Sequence, residues 1–115
     1  MRKGCVYWVD LGGSSGHEQH YRRPVIIVQD DLLNDVASTT VIVPCTSNME
    51  TATLKTSVKI NTDDLQISGN TVALCHQVRV IDQNRIEESN CVGCLGAHQI
   101  NSIDETIKVV FGLLG

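Results

Sequence analysis

With 115 residues, 42% of them hydrophobic, the chain is long enough for one domain with its own modest core and too apolar to remain disordered. The net charge of −4 argues against a sequence-blind nucleic-acid coat, yet residues 1–23 carry +2 and the remainder −6, so a local basic site sits on an acidic body. No apolar run approaches the ~20 residues that span a bilayer, and Met1-Arg-Lys leads into Gly-Cys and a strand rather than a signal core, so a single cytoplasmic domain over 1–115 is expected.

Cys5-Val-Tyr-Trp-Val-Asp-Leu11 reads as an apolar-rich strand and Gly12-Gly-Ser-Ser-Gly16 as a flexible loop. His17-Glu-Gln-His20 and Arg22-Arg23-Pro24 follow, and Val25-Ile-Ile-Val28 runs on as a second strand. Imidazole, acid, amide and guanidinium groups are thereby gathered between two core strands, an arrangement suited to gripping a phosphodiester. Asp30–Asp35 predicts a short helical turn or loop, and Thr40–Val43 a buried strand with Pro44 at its end, where a missing donor is tolerated. Thr46–Thr56 is polar and reads as a second long loop. Ser57–Ile60, Thr71–His76 (after a Ser68-Gly-Asn70 turn), Val78–Ile81 and Cys91–Leu95 read as further short strands.

Near the C-terminus the period changes. Ile100, Ile103, Ile107, Val110 and Leu114 mark one face of an amphipathic helix starting near Ala97, which leaves the Ser102-Ile-Asp-Glu105 capping pattern as a decoy. Six or seven short strands and one terminal helix predict a mainly β (α+β) fold, a strongly bent sheet or SH3-like small barrel with the helix against it. The five cysteines are an odd number in mostly apolar segments, which favours reduced, buried thiols. Cys91-Val-Gly-Cys94 has the spacing of a redox or zinc knuckle, but no second tight Cys/His pair completes four ligands. No metal or other cofactor is expected.

In this order and spacing the chain resembles the MazF/PemK family of toxin endoribonucleases. The resemblance rests on Tyr7-Trp8-Val9-Asp10-Leu11, on Gly16-x-Glu18-Gln19 followed by Arg23-Pro24-Val25, and on Val43-Pro44-Cys45-Thr46. It continues through Leu74-x-x-Gln77-Val78-Arg79-x-Ile81-Asp82 and the terminal helix. It implies a MazF/CcdB-like barrel that forms a homodimer and cuts single-stranded RNA at short sequences without a metal. It also implies inhibition by a cognate antitoxin of the MazE/PemI type. The family's catalytic arginine before proline falls on Arg23, its hydroxyl at the end of the third strand on Thr46, and its glutamate after the glycine loop on Glu18. The chain departs from the pattern at His17, where a small residue is usual, and at His76, where a carboxylate often stands.

Metal-free cleavage uses the substrate's own 2′-hydroxyl as nucleophile, so the protein must help remove its proton, stabilise a dianionic phosphorane and help protonate the leaving 5′-oxygen. Arg23 suits the phosphorane, because its planar fork matches phosphate and stays charged. Thr46 and Ser47 suit a phosphate oxygen, with a local cap as the alternative. Glu18 either accepts the 2′-proton or holds Arg23. His17 titrates in the working range and is otherwise a solvated loop residue. Gln19 and Gln77 read base edges or bond backbone, and Arg79 meets phosphate or pairs across the dimer. Tyr21, beside Arg22, is the best candidate stacker, whereas Trp8 is expected in the core or the dimer interface, with a base-stacking platform as its alternative role. A CcdB-like poison of a topoisomerase is the alternative function, although the ending Phe111-Gly-Leu-Leu-Gly115 has no tryptophan with which to reach such a target. A non-catalytic binding barrel is a third.

Overall fold

Short runs rich in β-branched and apolar residues form seven strands among the described residues. The computed structural model describes residues 1–12 and 22–113. In chain order they form β1 (Cys5–Asp10), β2 (Arg22–Ile27), α1 (Asp31–Asn34), β3 (Thr39–Thr46), β4 (Ser57–Lys59), β5 (Val72–Leu74), β6 (Arg79–Asp82), β7 (Cys91–Cys94) and α2 (Ala97–Val110). All pairings are antiparallel, in the order β4-β5-β3-β2-β1-β7, with β6 also on β3. The result is the bent, mainly β half-barrel with a C-terminal helix that the pattern implied.

β3 is the hub. Its first half pairs with β6 through Thr39–Ile42, its last two residues pair with β5, and Ile42–Pro44 pair with β2. Pro44 was expected to end this strand but lies inside it. On one flank β6 stops at Ile42 and β5 begins at Cys45, so the missing N–H of Pro44 falls where no partner waits. The strand expected over 71–76 stops at Leu74, and Cys75–Gln77 winds into a 3-10 turn against α2.

Period-2 alternation sorts the side chains into two clusters. Cys5, Tyr7, Val9, Val25, Ile27, Ile42 and Ile81 form one. Val6, Ile26, Val43, Cys45 and Ala73 belong to the other, which α2 covers with Ile103 while Ile100, Ile107 and Val110 pack at its border. Burying a side chain such as Ile103 is worth about 1.5–3 kcal/mol. Helix α2 starts at Ala97 behind Gly96, and Ser102 lies within it, its hydroxyl donating to the His98 carbonyl at 3.2 Å.

The expectation of reduced thiols fails at two positions. β1 and β7 set Cys5 opposite Cys94, and the two form a disulfide across 89 residues of sequence. Cys45, Cys75 and Cys91 are free. The pairing of the first strand with the last is non-local, so spacing alone could not show it.

α1 is pinned by polar contacts. Asp30 caps it by accepting from the Leu32 amide at 2.9 Å. The buried Thr40 hydroxyl donates to Asn34 Oδ1 at 2.7 Å, and the Asn34 amide donates to the Gln29 carbonyl and to Asp31. Asp31 also accepts from the Lys3 amide at 2.7 Å, and that bond, first among several causes, holds its carboxyl below the usual value of 3.8. A depressed carboxylate stabilises the fold fully above its unfolded value and loses that contribution as pH falls through the folded one. Asp31→Ala should therefore lower the urea midpoint at pH 5, with the gap to wild type closing toward pH 2.5. A gap constant over that range would refute the assignment.

Candidate active site

β2 carries Arg22 and Arg23 at its start because the strand begins two residues before its apolar run, opposite Asp10 and Val9 of β1. Pro24 follows opposite Trp8. On its other side, β2 sets Val25 against Pro44. Carried two residues further, that register brings Arg23 level with Thr46 at the end of β3. Both are half-buried. A cleft of about 500 Å³ opens there, lined by Trp8, Arg22, Arg23, Thr46 and Ser47 and, from the segment before β5, by Gln66, Ile67, Ser68, Asn70 and Thr71.

The Thr46 hydroxyl oxygen accepts from the Asn48 amide at 3.2 Å, the local cap weighed as its alternative role. That contact uses the oxygen, and among the described residues none accepts the O–H, so the cap orients the hydroxyl rather than consuming it. Cys45 also lines the cleft. Burial, with Cys75 beside it, pushes its thiol up to about 12, so it is neutral at working pH and no nucleophile.

Arg23 also lines a second cleft of about 270 Å³, with Leu11, Gly12, Pro44, Gln77 and Arg79. The candidate residues are therefore divided. Arg22, Arg23, Thr46 and Ser47 meet in the larger cleft, Gln77 and Arg79 in the smaller, and Arg23 belongs to both. His17, Glu18, Gln19 and Tyr21 lie outside the described residues. His76 lines neither cleft and instead pairs through Nδ1 with the Thr56 hydroxyl at 3.0 Å. Among the described residues no three His, Cys, Asp or Glu side chains converge as a metal site would require.

Trp8 borders the core as expected and also reaches the cleft. Part of the ring packs on the core cluster, but the residue is only half-buried and lines the larger cleft. The Arg22 guanidinium lies 5.2 Å from its ring centroid, a cation–π distance, and its Nη2 reaches Asn90 Oδ1 at 3.4 Å. Sequence reasoning missed Gln66, Ser68 and Asn70, which line the same cleft. The available signal was the alternation of polar Gln66 and Ser68 with apolar Leu65 and Ile67, in a segment read only as a turn.

The family model for PemK-like, MazF-like toxins of type II toxin-antitoxin systems matches residues 2–111. An endoribonuclease MazF from Staphylococcus saprophyticus is 31% identical over 113 residues, 98% of this chain and 92% of the relative. Endoribonuclease EndoA from Bacillus subtilis is 28% identical over 99% of this chain and 97% of its own length. Among solved structures, a mycobacterial endoribonuclease in complex with its cognate antitoxin superimposes with a TM-score of 0.80 at 20% identity, covering 100% of this chain and 98% of the other. A MazE-MazF structure from Deinococcus radiodurans gives 0.77 at 21% identity, covering 98% and 96%.

Proposed function

Since the chain belongs to the PemK-like, MazF-like toxins of type II toxin-antitoxin systems, we propose that it is an endoribonuclease toxin that cuts single-stranded RNA at short specific sequences in the cleft between the start of β2 and the end of β3. The observation that carries this reading is the convergence of Arg23 and Thr46 on one cleft, a fixed cation beside a hydroxyl. The naming of both curated relatives as endoribonucleases supports it over a topoisomerase poison.

The chemistry follows from these groups. The substrate's 2′-oxygen bonds to phosphorus as its proton leaves, the 5′-oxygen departs with a proton, and the products are a 2′,3′-cyclic phosphate and a 5′-hydroxyl. Arg23 meets the dianionic phosphorane with two parallel N–H donors, and the Thr46 O–H adds a third. Glu18 takes the 2′-proton or holds Arg23. A metal has no part in this sequence of steps. Arg22 and Ser47 hold neighbouring parts of the strand in the larger cleft, and Gln77 and Arg79 do so in the smaller.

Incubating the protein with a long RNA in EDTA and mapping the ends tests the proposal. Cuts at a recurring short sequence, with 5′-hydroxyl ends, are expected. Cleavage that appears only on adding Mg²⁺, or 5′-phosphate ends, would overturn the mechanism. The acidic segment of a cognate antitoxin is proposed to occupy the same cleft, its carboxylates taking the place of RNA phosphates at Arg23. A homodimer is part of the same reading. Leu33, Val80 and Phe111 are exposed beside a largely apolar groove of about 470 Å³ that Val28, Val41 and Ile107 also line, and sedimentation at twice the chain mass checks it. No helix among the described residues is long and apolar enough to cross a membrane.

A further inference from the structure

One wall of the cleft is a segment without regular structure, held by hydrogen bonds and packing along its length. Its start is tied to α2 by two bonds. The Asn61 amide donates to Gln99 Oε1 at 2.8 Å, and Gln99 Nε2 donates to the Asn61 carbonyl at 3.1 Å. The Asp63 amide donates to Asn61 Oδ1 at 2.9 Å, and the Leu65 amide to the Thr62 carbonyl at 2.9 Å. The Gln66 amide then joins the Val92 carbonyl of β7 at 2.7 Å.

Packing completes the anchoring. Leu65 is buried in the core cluster under α2, and Ile67 packs at its border. Leu65 fits because β7 carries Gly93, at φ +128°, where a Cβ would lie 2.9 Å from Leu65 Cδ2 and 3.0 Å from the Asp64 carbonyl. With Leu65 and Ile67 turned inward, the intervening Gln66 and Ser68 are exposed, as is Asn70, and all three line the cleft. The half-buried Trp8 ring, with the Arg22 guanidinium at 5.2 Å, lines the same cleft.

We propose that this wall is the base-selecting subsite of the cleft: the nucleobase next to the cleaved bond stacks on Trp8, and the carboxamides of Gln66 and Asn70 read its edge. The proposal rests on the endoribonuclease reading and deepens it by assigning the source of sequence choice. An unpaired RNA base has a free π-face and a free edge, which aromatic rings and polar side chains read together. A carboxamide presents a donor beside an acceptor. That complements the N6/N7 edge of adenine and mismatches the two acceptors, O6 and N7, of guanine. With the base presented by its N7 edge, as the proposal has it, the subsite favours adenine over guanine at one position. Preorganisation makes the choice effective, because Leu65 and the bonds at Asn61 and Gln66 fix the wall before RNA arrives.

The test is cleavage of a randomised RNA pool, with every cut site sequenced, by wild-type protein and by Gln66→Ala/Asn70→Ala. Wild type is expected to prefer A to G at one position beside the cut by about 10- to 100-fold. The double variant should lose that preference while preferences at other positions persist. Gln66→Glu, nearly isosteric but unable to donate, should also lose it. Binding of an RNA blocked by 2′-O-methylation should weaken about 5- to 100-fold in Trp8→Leu and be restored in Trp8→Phe. An active wild type whose A-over-G preference is absent, or is unchanged in the variants, overturns the subsite. A wild type that cuts no RNA overturns the endoribonuclease reading itself, so the two failures are distinguishable.

Discussion

Arg23→Ala and Thr46→Ala are each expected to lower the single-turnover rate of RNA cleavage by about 100- to 1000-fold, the usual cost of removing one preorganised donor from a developing oxyanion. The two residues stand at neighbouring strand ends on one cleft, so each loss leaves the phosphorane short of a hydrogen bond that water in an open cleft replaces poorly. Arg23→Lys should recover only part of the rate, because an ammonium keeps the charge and loses the parallel fork. Thr46→Ser should recover most of it, since the hydroxyl and its bond to the Asn48 amide both remain. Neither alanine variant should unfold the domain, as both sites lie at strand ends, half-buried, outside both core clusters. Rates near wild type for both, in protein with unchanged circular dichroism, would show that the site has been misplaced.

Reduction of the Cys5–Cys94 bond is expected to produce the largest change in stability. The bridge closes a loop of 89 residues, and in the chain-entropy account a loop of that size confines the unfolded state by about 4.5 kcal/mol, an upper figure for the cost of opening it. The bond also fastens β7 to β1 next to the irregularity between Val6 and Tyr7, where the ladder is least able to hold register alone. Urea unfolding with and without dithiothreitol measures the effect. The oxidised protein should unfold at clearly higher urea, and Cys5→Ser/Cys94→Ser should match the reduced form and ignore the reductant. Identical midpoints in all four samples would show that the bridge contributes nothing. Because β7 also supports the Gln66 wall through Val92 and Gly93, the reduced protein is the natural sample in which to look for relaxed base choice.

Much of the fold was legible in the sequence because its signals are local. The apolar-rich run Cys5–Asp10 and the continuous β-branched run Val25–Ile27 mark strands, and the 3-4 spacing of Ile100, Ile103 and Ile107 marks the helix. Side-chain direction repeats every 2 or 3.6 residues whatever the rest of the chain does. The placement of Arg23 and Thr46 at strand ends was legible for a related reason, since each is fixed by its own strand, while the catalytic role proposed for them awaits the rates above. Tertiary structure alone decided the remainder. It paired Cys5 with Cys94, brought Trp8 to the cleft, divided Arg22 and Thr46 from Gln77 and Arg79 about Arg23, and docked Leu65 into the core beside Gly93 so that Gln66 and Asn70 line the cleft. Those outcomes depend on contacts between residues tens of positions apart. The free energy of such contacts is set by which surfaces meet, and no local period records that.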